Sequence, residues 1–408
     1  MSDDASSTRD ALASRVRDFY DEYPYPAPSD DVVPYGATWD DARRRADSYL
    51  FWPAEPGRDD RSVLVAGCGT RQAAHYALRW PKARVLGIDF SASSLAFEQE
   101  LKRTHRLDNL ELRELPIERA GELRETFDHV VCTGVLHHLA DPDAGLGALG
   151  GVLAPDGALH LMLYAPYGRA GIYLLQDYCR RLGIGTTDTD VRDLAATLKA
   201  LPQDHPIVPL LRNSPDFATI AGLADALLHP NDRSYSVPQL LTFLQGAQLV
   251  FGRWIRQAPY LPFCGAIAAS PHAERLFRLS PEAQYAAMEL FRGTMVRHSC
   301  IAYRTSDAAH RVAPDFDSDA WLRYVPTRLP EAITVRENLP PGASAVLINP
   351  NHTSTDLYLP IDGPQERLLA AADGTRTIAD IVARVGQRQA ACAFFRTLWL
   401  WDQVVFGR

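Results

Sequence analysis

The sequence predicts an α/β protein organised around a doubly wound, largely parallel sheet, and three observations carry that expectation. Short apolar runs at 62–66, 84–88, 110–114, 128–132 and 158–164 alternate with helical periodicity near 71–79, 93–105 and 143–153. Such alternation requires crossover helices between parallel strands. The first run, Val63-Leu64-Val65-Ala66, opens into the turn Gly67-Cys68-Gly69-Thr70, and the second ends on Asp89. A strand that opens into glycine lets backbone N–H groups and a helix N-terminus approach a ligand closely. An acid at the end of the next strand can take both hydroxyls of a ribose.

The remaining elements follow in order. Residues 9–22 have helical spacing (Leu12, Val16, Phe19, Tyr20), and Tyr23-Pro24-Tyr25-Pro26-Ala27-Pro28 then forces an extended path. A helix is expected over Trp39–Leu50. Beyond the alternating region, residues 170–246 read as mostly helical with Pro punctuation. Strand signals return at Gln248–Trp254 and Ser299–Arg304, an antiparallel pair at the sheet edge separated by a helical excursion through Arg275–Val296. A Pro-rich connection then leads to a strand at Ser344–Ile348 and to a helix closing on Asp373-Gly374. A second helix is capped by Thr377, a third covers Gln389–Leu400, and a strand runs over Gln403–Phe406.

Bulk properties exclude several classes. A length of 408 residues predicts two or three units, and 46% hydrophobic with 23% charged residues is ordinary for a globular chain. A net charge of −8 argues against a general nucleic-acid surface. The N-terminus carries no apolar signal segment, and no run approaches the ~18 apolar residues of a membrane span. The six cysteines form no CxxC pair and the histidines no HExxH spacing, so neither a disulfide framework nor a bound metal is expected. The resulting expectation is a cytoplasmic protein without nucleic-acid or membrane partners.

In order, VLVAGCGT, VLGIDFS and FDHVVCTGVLHHLADP resemble the first, second and fourth motifs of class I S-adenosylmethionine-dependent methyltransferases. The resemblance covers roughly residues 55–165. It implies a Rossmann-like seven-stranded core with S-adenosyl-L-methionine as cofactor. On that resemblance, Gly67, Cys68, Gly69, Thr70 and Gln72 approach the methionine moiety. Asp89 takes the ribose, Phe90 packs on one adenine face, Leu115-Pro116 bounds the other, and Ser91 and Ser94 are further cofactor-binding residues. Thr133, Gly134 and Val135 lie under the sulfonium. Two departures stand out: Val65 occupies the place of an acid, and Arg71 the place of a third glycine. Another group must therefore orient the methionine end, with Gln72 or the N-terminal segment as candidates. Arg71 either closes over the cofactor carboxylate or points to solvent. A nicotinamide-binding fingerprint would want G-x-G-x-x-G, and the third glycine is absent.

Methyl transfer to a weak nucleophile needs alignment and removal of a proton. His137 and His138, just past the fourth strand, are candidate bases, against the alternative that one packs and the other caps. Tyr164 and Tyr167 follow the fifth strand as hydroxyl donors or substrate walls. Tyr173 and Asp177 share a helix face with Gln176 and Arg180, a face equally suited to a homodimer contact. His229, Asp232 and Tyr235 form a polar cluster before a later helix. Tyr20 and Tyr25 belong to an aromatic segment resembling the lids of several methyltransferases.

The expected organisation is a lid segment over 1–60, a cofactor-binding core over 61–169 and a helical substrate lid over 170–246. Completion of the sheet follows over 247–310, then a small C-terminal α/β domain over 311–408. In the last, LLAAADGTRTIADIV is similar to PqqD-like winged-helix domains, which grip leader peptides. The expected activity is methylation of oxygen or nitrogen on a small polar or aromatic metabolite. The alternative is a peptide or protein methyltransferase that recruits its substrate through the C-terminal domain.

Overall fold

The computed structural model describes residues 2–28, 31–54, 58–310, 313–352 and 354–408, with side chains described outside 2–6, 215–216 and 308–310. Two compact units result. The first is Met1–Gly36, Asp60–Leu249 and Met295–His298; the second is Ala37–Asp59, Val250–Thr294 and Ser299–Arg408.

Helices α1 (Ser2–Glu22), α2 (Val33–Ala37) and α3 (Asp41–Phe51) come first. Asp40 caps α3 by accepting from Arg43 N. The expected alternation follows: β1 (Ser62–Ala66), α4 (Gln72–Arg79), β2 (Arg84–Asp89), α5 (Ala92–His105) and β3 (Leu110–Glu114), then β4 (Phe127–Thr133), α6 (Pro142–Gly151) and β5 (Leu153–Tyr164). In β1 and β2 every residue after the first is buried, as in strands covered on both faces.

Seven strands form the main sheet in the order β3-β2-β1-β4-β5-β7-β6, where β6 is Leu249–Trp254 and β7 is Arg297–Arg304. The pairs β2–β3, β1–β2, β1–β4 and β4–β5 are parallel. Order reverses between β1 and β4, and a ligand crevice opens at the carboxyl ends of such a switch point. Register decides what meets there. Ala66 lies opposite Ile88 and Val65 opposite Val131, so Gly67, Asp89 and Thr133 all emerge at one edge.

Helices α7 (Ala170–Leu182), α8 (Asp188–Thr197), α9 (Val208–Asn213), α10 (Ile220–Leu228) and α11 (Val237–Gly246) follow β5. Ile172, Leu175 and Cys179 on α7 pack in one cluster with Leu223 and Leu227 of α10 and with Phe19 and Tyr23 of α1. A Cβ at Gly171 would sit 2.4 Å from Ile207 N, so glycine permits this close crossing.

In the second unit, the expected 275–296 excursion divides into α12 (Ala273–Phe277) and α13 (Pro281–Arg292). Ser280 caps α13, Pro281 opens it, and Gly293 ends it in the left-handed region. Strands β8 (Val325–Arg328), β9 (Ile333–Val335), β10 (Ala345–Ile348) and β11 (Tyr358–Ile361) precede α14 (Gly363–Ala370), α15 (Ile378–Val385), α16 (Arg388–Leu400) and β12 (Val404–Gly407). One antiparallel sheet runs β11-β10-β9, and β12 pairs antiparallel with β8. Trp321, Leu347, Phe394, Phe395 and Phe406 make the core of this region. Residues 311–408 do not build the unit alone. Tyr49 of α3 lies over Gly407, Pro53 O accepts from Arg408 N at 2.9 Å, and Arg253 Nη2 reaches Asp402 Oδ1 at 3.3 Å.

Candidate active site

A cavity of about 500 Å³ opens at the carboxyl edge within the first unit. Its floor is the glycine turn. Gly67 and Gly69 have φ of +69° and +58°; a Cβ would come 2.6 Å from Val135 Cγ1 at the first and 2.7 Å from Tyr25 O at the second. Only glycine admits both the conformation and the approach. Gly67, Cys68, Gly69 and Gln72 line the cavity, as do Thr133, Gly134 and Val135 from the end of β4. Gln72 Nε2 donates to Thr133 Oγ1 at 2.6 Å and ties the turn to that strand.

Asp89, at the end of β2, is 6% exposed and accepts from Gly69 N through Oδ2 and from Ser91 N through Oδ1, each at 2.9 Å. Burial pushes its pKa up, against the opposing pull of these N–H groups. Each carboxylate oxygen offers two lone pairs and Phe90 N–H also draws on them, so at least one remains for a ribose hydroxyl. Phe90 and Ser94 line the cavity beside it, and the opposite adenine wall is Pro116-Ile117-Glu118. These residues fit S-adenosylmethionine: glycines at the methionine end, a dihydroxy acceptor and flanking apolar walls.

Val65, in the place of the missing acid, packs among Val63, Ala73, Val85 and Val131. The carboxylate beneath the turn comes from α5 instead. Glu98, 0% exposed, accepts from Ala73 N at 2.7 Å and Ala74 N at 2.9 Å, satisfying two orphan donors of the α4 N-terminus. Arg71 is half-buried and lines the cavity.

Helix α1 covers this edge. Ala13, Val16, Arg17 and Tyr20 face the cavity, followed by Tyr25 and Pro26. Besides the Arg9–Asp141 ion pair at 2.6 Å, further bonds tie the segment down among the described residues. Asp21 Oδ1 accepts from Ser91 Oγ at 2.7 Å and Ser93 Oγ at 2.9 Å, and Pro26 O from Thr70 Oγ1 at 2.7 Å. Tyr20 Oη donates to Asp225 Oδ1 at 3.2 Å, and Tyr23 Oη to Thr186 O.

Beyond the glycine turn the cavity ends on His138, Tyr164, Arg169 and Asp225. His138 Nδ1 lies 2.8 Å from Asn231 O, which can only accept, so Nδ1 carries the proton and Nε2 keeps its lone pair. Among the described residues Nε2 is buried without a hydrogen-bond partner. Asn231 N donates to His229 Nδ1 at 3.0 Å, which puts that histidine's proton on Nε2. One peptide residue thus sets both tautomers. The Tyr164 ring lies between the Arg169 guanidinium, 3.5 Å from its centroid, and the His137 ring at 3.9 Å. Arg169 Nη2 binds Asp232 Oδ2 at 3.0 Å and its Nε donates to Tyr173 Oη at 3.2 Å.

Several residues expected at the site lie elsewhere. Thr70 and Ser91 are buried in the lid and turn hydrogen bonds and do not reach the cavity wall. Leu115 is buried behind Pro116. His137 is fully buried under Tyr164, and burial with its cationic and imidazole neighbours holds its pKa well down. Tyr167 is 43% exposed at the surface. Asp177 pairs with Arg181 at 2.8 Å and Arg180 at 3.6 Å on the outer face of α7, because the apolar stripe Ile172-Leu175-Cys179 takes the inner one. Tyr173 and Asp232 stand behind Arg169, His229 behind Tyr20 and His138, and Tyr235 against Phe243. Asp225 and Arg169 were not singled out as site residues. The signal for Asp225 is a lone acid within the apolar α10 sequence IAGLADALL.

Comparison with known proteins agrees with this geometry. The methyltransferase-domain family model matches residues 64–159. The chain is 33% identical over 252 residues to an uncharacterised protein of Synechococcus sp., covering 59% of this chain and 60% of that one. It therefore spans less than two thirds of that relative's length. It is 28% identical over 211 residues to the ubiquinone biosynthesis O-methyltransferase of Acinetobacter baumannii, covering 48% of this chain and 83% of that one. In fold it is similar to PKMT2 from Rickettsia typhi solved with AdoHcy, with a TM-score of 0.61 and 16% identity over 91% of this chain and 76% of that one. The chain carries a class I, S-adenosylmethionine-dependent methyltransferase domain.

Proposed function

We propose that the protein methylates an oxygen or nitrogen atom of a small acceptor enclosed beneath α1, with His138 as the base. The observation that carries this reading is the unpartnered Nε2 lone pair of His138, buried in the cavity wall and fixed in its tautomer by Asn231 O. The Acinetobacter relative, an O-methyltransferase by name, supports the acceptor class. Bound S-adenosylmethionine supplies an electrophilic methyl group. The protein's own residues do the rest. Asp89 and the glycine turn fix the nucleoside and methionine ends, α1 and the apolar face of α7 and α10 exclude water, and His138 accepts the acceptor's proton at Nε2. Tyr164, clamped between Arg169 and His137, forms a rigid wall beside that nitrogen.

The test is His138→Gln, assayed by S-adenosylhomocysteine release on whichever phenols and amines the wild type turns over. Loss of a general base lowers kcat by about 100-fold or more, while calorimetric affinity for S-adenosylhomocysteine stays unchanged. A variant with wild-type kcat removes His138 from the chemistry.

A further inference from the structure

Among the described residues, the far end of the cavity holds one acid more than its direct ion pairs use. Arg169 and Asp232 form a buried pair that is neutral overall. Asp225 is left over. It is 4% exposed and lines the cavity, and its hydrogen bond among the described residues comes from a neutral phenol, Tyr20. Burial pushes the Asp225 pKa up, His138 and Arg169 nearby only partly oppose that, and a buried carboxylate held without a direct ion pair is costly to maintain. Beside it, His138 presents a second acceptor at Nε2. A ring nitrogen of His138, one of His229 and a carboxylate oxygen of Asp225 all lie within 4.8 Å of one another.

Such a cluster invites a metal ion, but the tautomers argue otherwise. A metal would need a lone pair from each imidazole. His229 spends its Nδ1 lone pair on Asn231 N–H, so its outer nitrogen carries a proton. The cluster therefore offers a carboxylate, one imidazole lone pair and one neutral N–H. What satisfies two acceptors together with surplus negative charge is a cation bearing at least two N–H donors.

We propose that the methyl acceptor is an amine, held as its ammonium ion between Asp225 and His138. The proposal rests on the methyl-transfer reading above and names its substrate class. One ammonium N–H donates to Asp225 and a second to His138 Nε2. Transfer of that second proton breaks the substrate N–H bond, forms N–H at Nε2 and leaves the electron pair on the amine nitrogen. The imidazolium so formed stays beside the Asp225 carboxylate. A hydroxyl acceptor has one donor, and binding it leaves either Asp225 or His138 unsatisfied.

Sinefungin tests this directly, because it carries a protonated amine on carbon where S-adenosylmethionine carries the methylated sulfonium. Charge-assisted hydrogen bonds of this kind predict that sinefungin binds at least about tenfold more tightly than S-adenosylhomocysteine by calorimetry. Asp225→Asn abolishes that preference while S-adenosylhomocysteine affinity stays within about threefold. Should that variant fail to bind S-adenosylhomocysteine, His138→Gln keeps the carboxylate and its Tyr20 bond and carries the same comparison. Equal wild-type affinities, or a preference untouched by the substitution, overturn the proposal. Failure of the wild type to bind either ligand overturns the cofactor reading instead. The amine's source is read from turnover. Methylation of n-butylamine assigns a free amine, and methylation of a lysine-containing peptide with n-butylamine inert assigns a lysine side chain. Methylation of n-butanol or phenol with both amines inert overturns the proposal.

Discussion

Replacing Asp89 with asparagine separates what its carboxylate does for the fold from what it does for a ligand. Two of its four lone pairs are taken, by Gly69 N–H and Ser91 N–H, each at 2.9 Å. Phe90 N–H also draws on the carboxylate, and the remaining acceptor capacity is available where Asp89 lines the cavity. Asparagine keeps one oxygen and turns an NH2 toward either Gly69 N–H or Ser91 N–H, so one backbone donor and one ribose hydroxyl lose their acceptor. A hydrogen bond to an ionised group contributes about 1.5–3 kcal/mol, so affinity for S-adenosylhomocysteine falls about 10- to 150-fold. The orphaned N–H costs a further 1–3 kcal/mol or so, and that loss appears in stability. Calorimetric titration reads the first effect and urea unfolding of the ligand-free protein the second. Affinity within about threefold of wild type would refute the assignment of Asp89 to the ribose.

Three further outcomes follow from the geometry. Gly69→Ala puts a methyl 2.7 Å from Tyr25 O at a φ of +58°; it costs about 1–2 kcal/mol of backbone strain and weakens S-adenosylhomocysteine binding as the lid shifts. A wild-type melting temperature and affinity would contradict it. Glu98, which burial pushes up to about 8 from the ordinary 4.5, keeps its proton in the folded state while the unfolded chain releases it. Its contribution is therefore full below pH 4.5 and is lost as pH rises through 8, by at most about 1.4 kcal/mol per pH unit. Glu98→Gln should flatten that part of the stability profile, and identical urea midpoints against pH for the two proteins would refute the burial argument. Asp177→Ala breaks two exposed ion pairs, screened by solvent, and should leave kcat and the urea midpoint at their wild-type values; a loss of turnover would return Asp177 to the site.

The core elements were legible because their determinants are local. Glycines at 67 and 69, an acid at 89 and the β-rich runs between them fix both the strands and the edge where they meet. The face of α7 was not legible in the same way. Reading its polar side as substrate-facing neglected the Ile172-Leu175-Cys179 stripe, which claims the interior and leaves Asp177 to solvent. Asp225 escaped notice because its meaning depends on partners far away in sequence: Tyr20 from α1 and the cavity wall at His138. The histidine pair was visible, but the choice between them was not. It is made by Asn231, 93 residues from His138. Deleting residues 311–408 would strip partners from α3 and Arg253.

The attachment of α3 to β12 also bears on how the chain is made. Phe51 and Trp52 are 1% and 2% exposed in the finished unit, yet β12 leaves the ribosome about 350 residues after them. At about 5–20 residues per second, that is a wait of roughly 20 to 70 s. Through that interval Tyr49 and Pro53 lack their partners Gly407 and Arg408, and the nascent segment around them is a site for chaperone capture.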